Sequence, residues 1–345
     1  MDLTPRERLL RACRREPVDR PPVWLMRQAG RYMAEYRAVK EKVSFLELCK
    51  DPELCRDVTL QPLRAFGLEV GIVFSDILLP AEAMGMDLSF GAGAGPQLSP
   101  PIRTRKDVEA LRDFDPAQST PWPAEAQRLL RATLGDDLPI IGFCGAPFTV
   151  ASYMIEGGSS RVFENTKRML FADPSTFQLL MERLTANLIP YLLAQVEAGA
   201  PVVQVFDSWA GCLDRETYAE FAQPWTCRLI NAVKEKGVPV ISYVSGGGHL
   251  IELMADSGAD VVSLDWRVDP EDARRCIGHR VALQGNLDPG VLLAGPDATR
   301  RAVTKNLQAF GTAPGHIFNL GSGIMKWTPP ESVQALVDCV HGWRP

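Results

Sequence analysis

Residues 238–285 read VPVISYVSGGGHLIELMADSGADVVSLDWRVDPEDARRCIGHRVALQG. Three short apolar runs, VPVISYV (238–244), DVVSL (260–264) and VALQG (281–285), start 22 and then 21 residues apart, room for one strand and one short helix each. Their hydrophobicity is continuous rather than alternating, as expected of strands buried on both faces of a parallel sheet. The segment between the first two, LIELMADSG (250–258), has helical period and closes on Gly, where a left-handed C-terminal residue is expected. The same kind of run recurs upstream at PVWLM (22–26), VGIVF (70–74), PIIGF (139–143) and VVQVF (202–206), and downstream at HIFNL (316–320). Longer helical segments, TFQLLMERLTANLIPYLLAQVEAG (176–199) and TYAEFAQPWTCRLINAVKEKG (217–237), fill the gaps. Eight strands alternating with helices predict an α/β fold, a single-domain (β/α)8 TIM barrel over residues 1–345; an open α/β sheet is the runner-up. The stretch 86–108, rich in Gly and Pro, reads as a small inserted hairpin or flap after the second strand.

Composition sets limits on function. The chain has 345 residues, with 37 Lys and Arg against 42 Asp and Glu, a formal net charge of −5. That balance argues against nucleic acid as a partner, since a broad basic face is missing. No run approaches the roughly 18 apolar residues of a membrane span, and the charged N-terminus lacks the apolar core of a secretion signal. Eight scattered cysteines without a C-x-x-C pair predict reduced thiols in a cytoplasmic protein, with neither a zinc site nor a disulfide framework.

Barrel chemistry lies at the C-terminal strand ends. There the sequence offers Arg27-Gln28-Ala29-Gly30-Arg31, Ser75-Asp76, Cys144-Gly145 with Tyr153 beyond, Asp207-Ser208-Trp209, Ser245-Gly246-Gly247-Gly248, Asp265-Trp266, Asn286-Leu287-Asp288 and Gly321-Ser322-Gly323. Guanidinium forks on Arg27 and Arg31 suit carboxylates, and the Gly between them allows backbone N–H groups to approach a ligand; a solvated loop is the plainer alternative. Asp76 can be a general base, a metal ligand or an acceptor for N–H groups, or simply a cap. Asp207, Asp265 and Asp288 occupy equivalent places, and the sequence does not separate them. The glycine clusters at 91–95 and 246–248 match no phosphate-binding pattern and read as flexible loops. His249, His279, His316 and His341 lack ligand-like spacing. The residues alone indicate a barrel enzyme for an anionic ligand without a bound metal.

MRQAGRYMAEYR (26–37), FSDIL (74–78), GFCGAPFTVASYMIEGG (142–158), VVQVFDSWAG (202–211), QGNLDP (284–289) and FNLGSGI (318–324) together resemble the uroporphyrinogen decarboxylase family, in its order and spacing from about Thr4 onward. The resemblance implies a (β/α)8 barrel, a homodimer and no cofactor. It implies a carboxy-lyase that converts the four acetates of uroporphyrinogen III to methyls, giving coproporphyrinogen III in haem and chlorophyll biosynthesis. It assigns Arg27, Arg31 and the backbone of Gln28, Ala29 and Gly30 to substrate carboxylates. By the same resemblance Asp76 is expected to stabilise the transition state by facing the pyrrole N–H groups, with Arg27 catalytic beside it. The resemblance likewise implies polar contacts to the substrate from Tyr153 and Ser208, and an apolar lining from Phe74, Phe143 and Phe206.

Two positions depart from the family pattern. Ser322 stands where the family usually presents His, and a hydroxyl neither titrates near neutrality nor carries charge. Ala34 replaces the family's Pro in R-Y-M-P-E. Two other readings stand beside the decarboxylase: a non-catalytic tetrapyrrole-binding homologue, and a corrinoid-linked zinc methyltransferase of the same superfamily. The methyltransferase needs His and Cys ligands. Here the matching places hold Tyr243-Val244-Ser245 and Gly321-Ser322-Gly323.

Overall fold

The computed structural model describes residues 3–91 and 95–344; positions 92–94, inside the 91–95 glycine cluster, lie outside the described residues. Seven short parallel strands form one curled sheet in the order β1 (Gly71–Ile72), β4 (Ile140–Gly145), β5 (Val203–Asp207), β6 (Val240–Val244), β7 (Val261–Ser263), β8 (Ala282–Gln284) and β9 (His316–Ile317). Every neighbouring pair is parallel, as in Val203↔Val240 and Val261↔Ala282. The architecture is α/β and TIM-barrel-like. β4 and β6 are buried along their whole length, which explains their unbroken apolar sequence. β2 (Asp87–Gly91) and β3 (Gly95–Ser99) form a separate antiparallel pair between β1 and β4 in the chain.

The expected first strand differs. Residues 22–26 contribute only one parallel bridge, Val23↔Phe318. Pro21 and Pro22 have no N–H to offer a ladder. The Pro22 carbonyl accepts from Phe318 N, and Trp24 N donates to the Phe318 carbonyl. Side chains complete the attachment. Asn319 Oδ1 accepts from Met26 N at 2.9 Å, and Gln28 Oε1 accepts from Leu25 N at 3.1 Å while its Nε2 donates to the Val70 carbonyl at 3.4 Å. The 217–237 helix is also divided, into Arg215–Phe221 and Gln223–Lys234, with Pro224 in the first turn of the second, where its missing N–H has no intrahelical partner to lose.

Inside the curled sheet, Trp24, Met26, Val70, Ile141, Val202, Ile241, Val261, Ala282 and Ile317 form one buried cluster, floored by Leu9, Ala12 and Cys13 of helix Pro5–Cys13. A polar layer crosses this interior. Trp24 Nε1 donates to Gln284 Oε1 at 2.9 Å, and Gln284 Nε2 donates to Ser263 Oγ at 2.9 Å and Gln204 Oε1 at 3.1 Å. Gln284→Leu keeps the volume but strands the Trp24 N–H in an apolar interior. It should lower unfolding free energy by about 2–4 kcal/mol, read from denaturant titrations. A loss near zero would show that the layer is filler.

Candidate active site

Arg27 heads the loop after the first segment, held in the left-handed region at φ 63° between anchored Met26 and anchored Gln28. A side chain there is strained by roughly 1 kcal/mol, so the anchors must hold it. Its stem lies against Gly323, where a Cβ would fall 2.7 Å from Arg27 Cδ. Gln28 is buried and its amide is spent on Leu25 and Val70, so only its backbone faces the loop. Tyr32 Oη donates to the Gln28 carbonyl at 2.7 Å, and Arg37 Nη1 donates to the Arg31 and Tyr32 carbonyls at 3.0 Å. Among the described residues, the N–H groups of Ala29, Gly30 and Arg31 have no hydrogen-bond partner. Exposed Arg31 adds its charge beside them, and such a row of free amides suits an anion.

The four strand-end aspartates now separate. Asp265 is buried and accepts from Gly246 N, Arg267 N and Arg267 Nη1. Asp288 caps a short 3-10 helix through Gly290 N. Buried Asp207 accepts from Thr149 Oγ1 at 2.6 Å through one oxygen, while its other oxygen is enclosed without a donor among the described residues. Asp76 is half-buried and accepts only from Leu78 N at 2.8 Å, so one carboxyl oxygen has no donor among the described residues. Burial pushes its pKa up to about 6, against the pull of Leu78 N and the Arg27 charge.

Tyr153 projects from helix Pro147–Glu156 and stacks on Trp209 with ring centroids 3.7 Å apart. Burial and the Asp76 charge push its phenol up to about 12, and the Arg27 charge opposes them. Arg27, Asp76 and Tyr153 are therefore brought within electrostatic reach of one another. Ser208, half-buried, follows β5, and the Ser208–Trp209 turn is pinned by Trp209 N donating to Thr149 Oγ1 at 3.1 Å. Phe143 meets Phe206 edge-on at 5.6 Å, and Phe206 meets Tyr243 at 6.1 Å. Phe74 instead packs on Tyr36 and Phe45, and Phe45 meets Phe90 of β2 at a tilt with ring centroids 4.6 Å apart. Ser322 is half-buried between Gly321 and Gly323. His316 is buried, stacked 3.8 Å from Phe310 and bonded to the Gly285 carbonyl, with burial lowering its pKa to about 3. It is a neutral core side chain.

Sequence reasoning passed over Tyr36, Thr149, Arg37 and Arg267 as site-forming residues. Only Arg267 had a positional signal, two residues beyond a strand-end Asp. Among the described residues no cluster of three His, Cys, Asp or Glu side chains could hold a metal, and no helix is long and apolar enough to cross a membrane.

The family model for uroporphyrinogen decarboxylase matches residues 4–343. Uroporphyrinogen decarboxylase of Syntrophotalea carbinolica is 50% identical over 332 residues, covering 96% of each chain. That of Anaeromyxobacter dehalogenans is 48% identical over 345 residues, covering 98% of this chain and 99% of its own. Among solved structures, a methyltransferase from Methanosarcina mazei superposes with a TM-score of 0.84 at 26% identity, over 99% of both chains.

The buried Asp207 carboxyl gives a test of the site's electrostatics. Burial raises its pKa from 3.8 to about 7, so the folded state binds the proton more tightly than the unfolded chain. The resulting stability is complete below the unfolded value and is lost as pH rises through about 7. Asp207→Asn keeps an acceptor for Thr149 and removes this loss. The variant's Tm advantage over wild type should therefore grow by a few degrees between about pH 5 and about pH 8. A pH-independent difference would overturn the raised pKa.

Proposed function

This chain belongs to the uroporphyrinogen decarboxylase family, and we propose that the site just described strips the acetate carboxyls of uroporphyrinogen III, leaving methyls and releasing coproporphyrinogen III. It is a carboxy-lyase of tetrapyrrole biosynthesis. The observation that carries the mechanism is Asp76: a strand-end carboxylate with an uncommitted oxygen, beside Arg27 and Tyr153.

The substrate supplies its own electron sink. Protonation of the ring carbon bearing the acetate gives an iminium-like cation. The C–CO2 bond then breaks, its electrons move into the ring, and CO2 leaves with an exocyclic methylene behind. Protonation of the methylene and loss of the added ring proton restore the pyrrole, so each of the four decarboxylations consumes one proton and releases one CO2. Asp76 accepts the pyrrole N–H groups and stabilises the cation electrostatically. Arg27 and Arg31, with the free amides of 29–31, grip and orient the carboxylates. A guanidinium keeps its own proton, so Arg27 acts by charge and orientation. A bound water or a substrate carboxyl delivers the proton. Tyr153, Ser208 and Ser322 offer hydroxyls to substrate side chains, and Phe74, Phe143 and Phe206 keep the ring surroundings apolar.

The finer architecture belongs to the same reading. Residues 22–26 act as an eighth stave closing a (β/α)8 barrel that forms one domain over the whole chain, and the β2–β3 pair serves as a flap over the mouth. The active species is a cytoplasmic homodimer working without a cofactor. The shared fold with a methyltransferase favours a second reading, zinc-dependent methyl transfer. Its ligands would have to come from 243–245 and 321–323, which hold no His or Cys.

Asp76→Asn should lower kcat by on the order of 100-fold or more with a much smaller effect on KM, because the cation it faces exists only near the transition state. Anaerobic turnover of uroporphyrinogen measures this; an unchanged kcat with a raised KM would make Asp76 a binding residue. In the wild type, kcat/KM should fall below about pH 6 as Asp76 takes up its proton. Ser322→His should change kcat less than about tenfold, since Ser322 meets a substrate side chain rather than the reacting carbon. A wild type that binds but turns over only after this substitution would overturn the enzyme reading.

A further inference from the structure

Beyond β7 the chain runs Leu264-Asp265-Trp266-Arg267. The Asp265 carboxyl is only 1% exposed, whereas the Arg267 side chain bonded to it is 58% exposed. A guanidinium serving only to neutralise a buried carboxylate would be expected to lie down beside it. Instead Arg267 uses one nitrogen, Nη1, on both Asp265 oxygens at 3.0 Å. Its Nε and Nη2, the edge that forms a bidentate fork, have no partner among the described residues. Asp265 is supplied independently by Gly246 N at 2.8 Å and Arg267 N at 3.0 Å.

The guanidinium is held in place from below. It lies over the Trp266 indole, 4.4 Å from the ring centroid. The Trp266 backbone is in turn pressed against Gly321, where a Cβ would fall 2.2 Å from Trp266 N. The 321–323 loop thus rests on Trp266 at one end and on the Arg27 stem at the other. Tyr243, whose Oη donates to the Gly321 carbonyl at 3.1 Å, feels the charges of both Arg27 and Arg267. Arg267 therefore belongs to the same mouth as Arg27, on the β7 side of the Ser322 loop.

We propose that Arg267 is a further substrate-binding residue, presenting its free fork to a carboxylate of the polycarboxylate substrate. This rests on the decarboxylase reading for the identity of that substrate. An aromatic-stacked, carboxylate-tethered guanidinium is pre-organised, so little side-chain freedom is lost when it binds. The Asp265 tether also fixes where the positive charge sits along the rim.

Arg267→Gln should raise KM for uroporphyrinogen about tenfold while leaving kcat within about threefold, the signature of lost uniform binding. Arg267→Lys, which keeps the charge without the fork, should fall between the two. Fluorescence titration with uroporphyrin, the oxidised octacarboxylate, should show the same order of affinities, and the differences should shrink as salt is raised. If Arg267→Gln folds normally and binds uroporphyrin like wild type, Arg267 is only the partner of Asp265 and the proposal fails. Should that variant not fold, the Asp265→Asn/Arg267→Gln pair removes the stranded charge and carries the same titration. A wild type that binds uroporphyrin through Arg267 without turning over uroporphyrinogen would sink the decarboxylase reading and leave this one standing.

Discussion

A seam of side-chain amides supports the rest of this structure. Segment 22–26 follows Pro21, begins on Pro22 and manages a single backbone bridge, Val23 to Phe318. Asn319 takes Met26 N, Gln28 clasps Leu25 N and the Val70 carbonyl, and Trp24 reaches Gln284 across the interior. Buried amide groups of this kind are costly when unpaired, so each bond specifies a position rather than merely adding attraction. Arg27 sits between two anchored residues, Met26 and Gln28. Its left-handed backbone and its place over Gly323 follow from that anchoring.

The site then uses a contrast between satisfied and unsatisfied groups. Asp265 has both oxygens engaged, by Gly246 and Arg267, whereas Asp207 and Asp288 engage one oxygen each, through Thr149 and Gly290, and the second Asp207 oxygen is buried without a donor among the described residues. Each of them fixes a loop. Asp76 and the amides of 29–31 are left with capacity, one for positive charge and the others for negative. A tetrapyrrole polycarboxylate needs both at once: anion grips around its rim and a fixed carboxylate under its ring nitrogens. On the proposed reading, a net acidic chain serves it by giving the basic groups assigned to the mouth, Arg27, Arg31 and Arg267, to the carboxylates.

Glycines set the scale of the mouth. Side chains at 321 and 323 would collide with Trp266 and Arg27, so the Ser322 loop can lie flat between them only because neither position carries a Cβ. On the other side, Phe90 of β2 reaches Phe74 through Phe45, and Leu98 N of β3 bonds the Gly157 carbonyl at the end of the Tyr153 helix. The antiparallel pair is thereby tied both to the strand end that carries Asp76 and to the helix that carries Tyr153.

Much of this was legible in the chain alone. Unbroken apolar runs located the parallel strands because burial on both faces is a local compositional demand, and the residues after each run supplied Arg27, Asp76, Tyr153, Ser208 and Ser322 as candidates. What the sequence left open was which strand-end aspartate keeps a free oxygen beside Arg27 and Tyr153. That depends on donors far away in the chain, as with Thr149 to Asp207, 58 residues apart. The weak pairing of 22–26 was legible in Pro21 and Pro22, but its replacement by Asn319, almost 300 residues downstream, was not. Arg267 likewise gains its meaning only from Trp266, Tyr243 and Gly321, which the curled sheet brings together. Periodicity is a property of neighbours in sequence; hydrogen-bond satisfaction is a property of neighbours in space, and the site is built from the second.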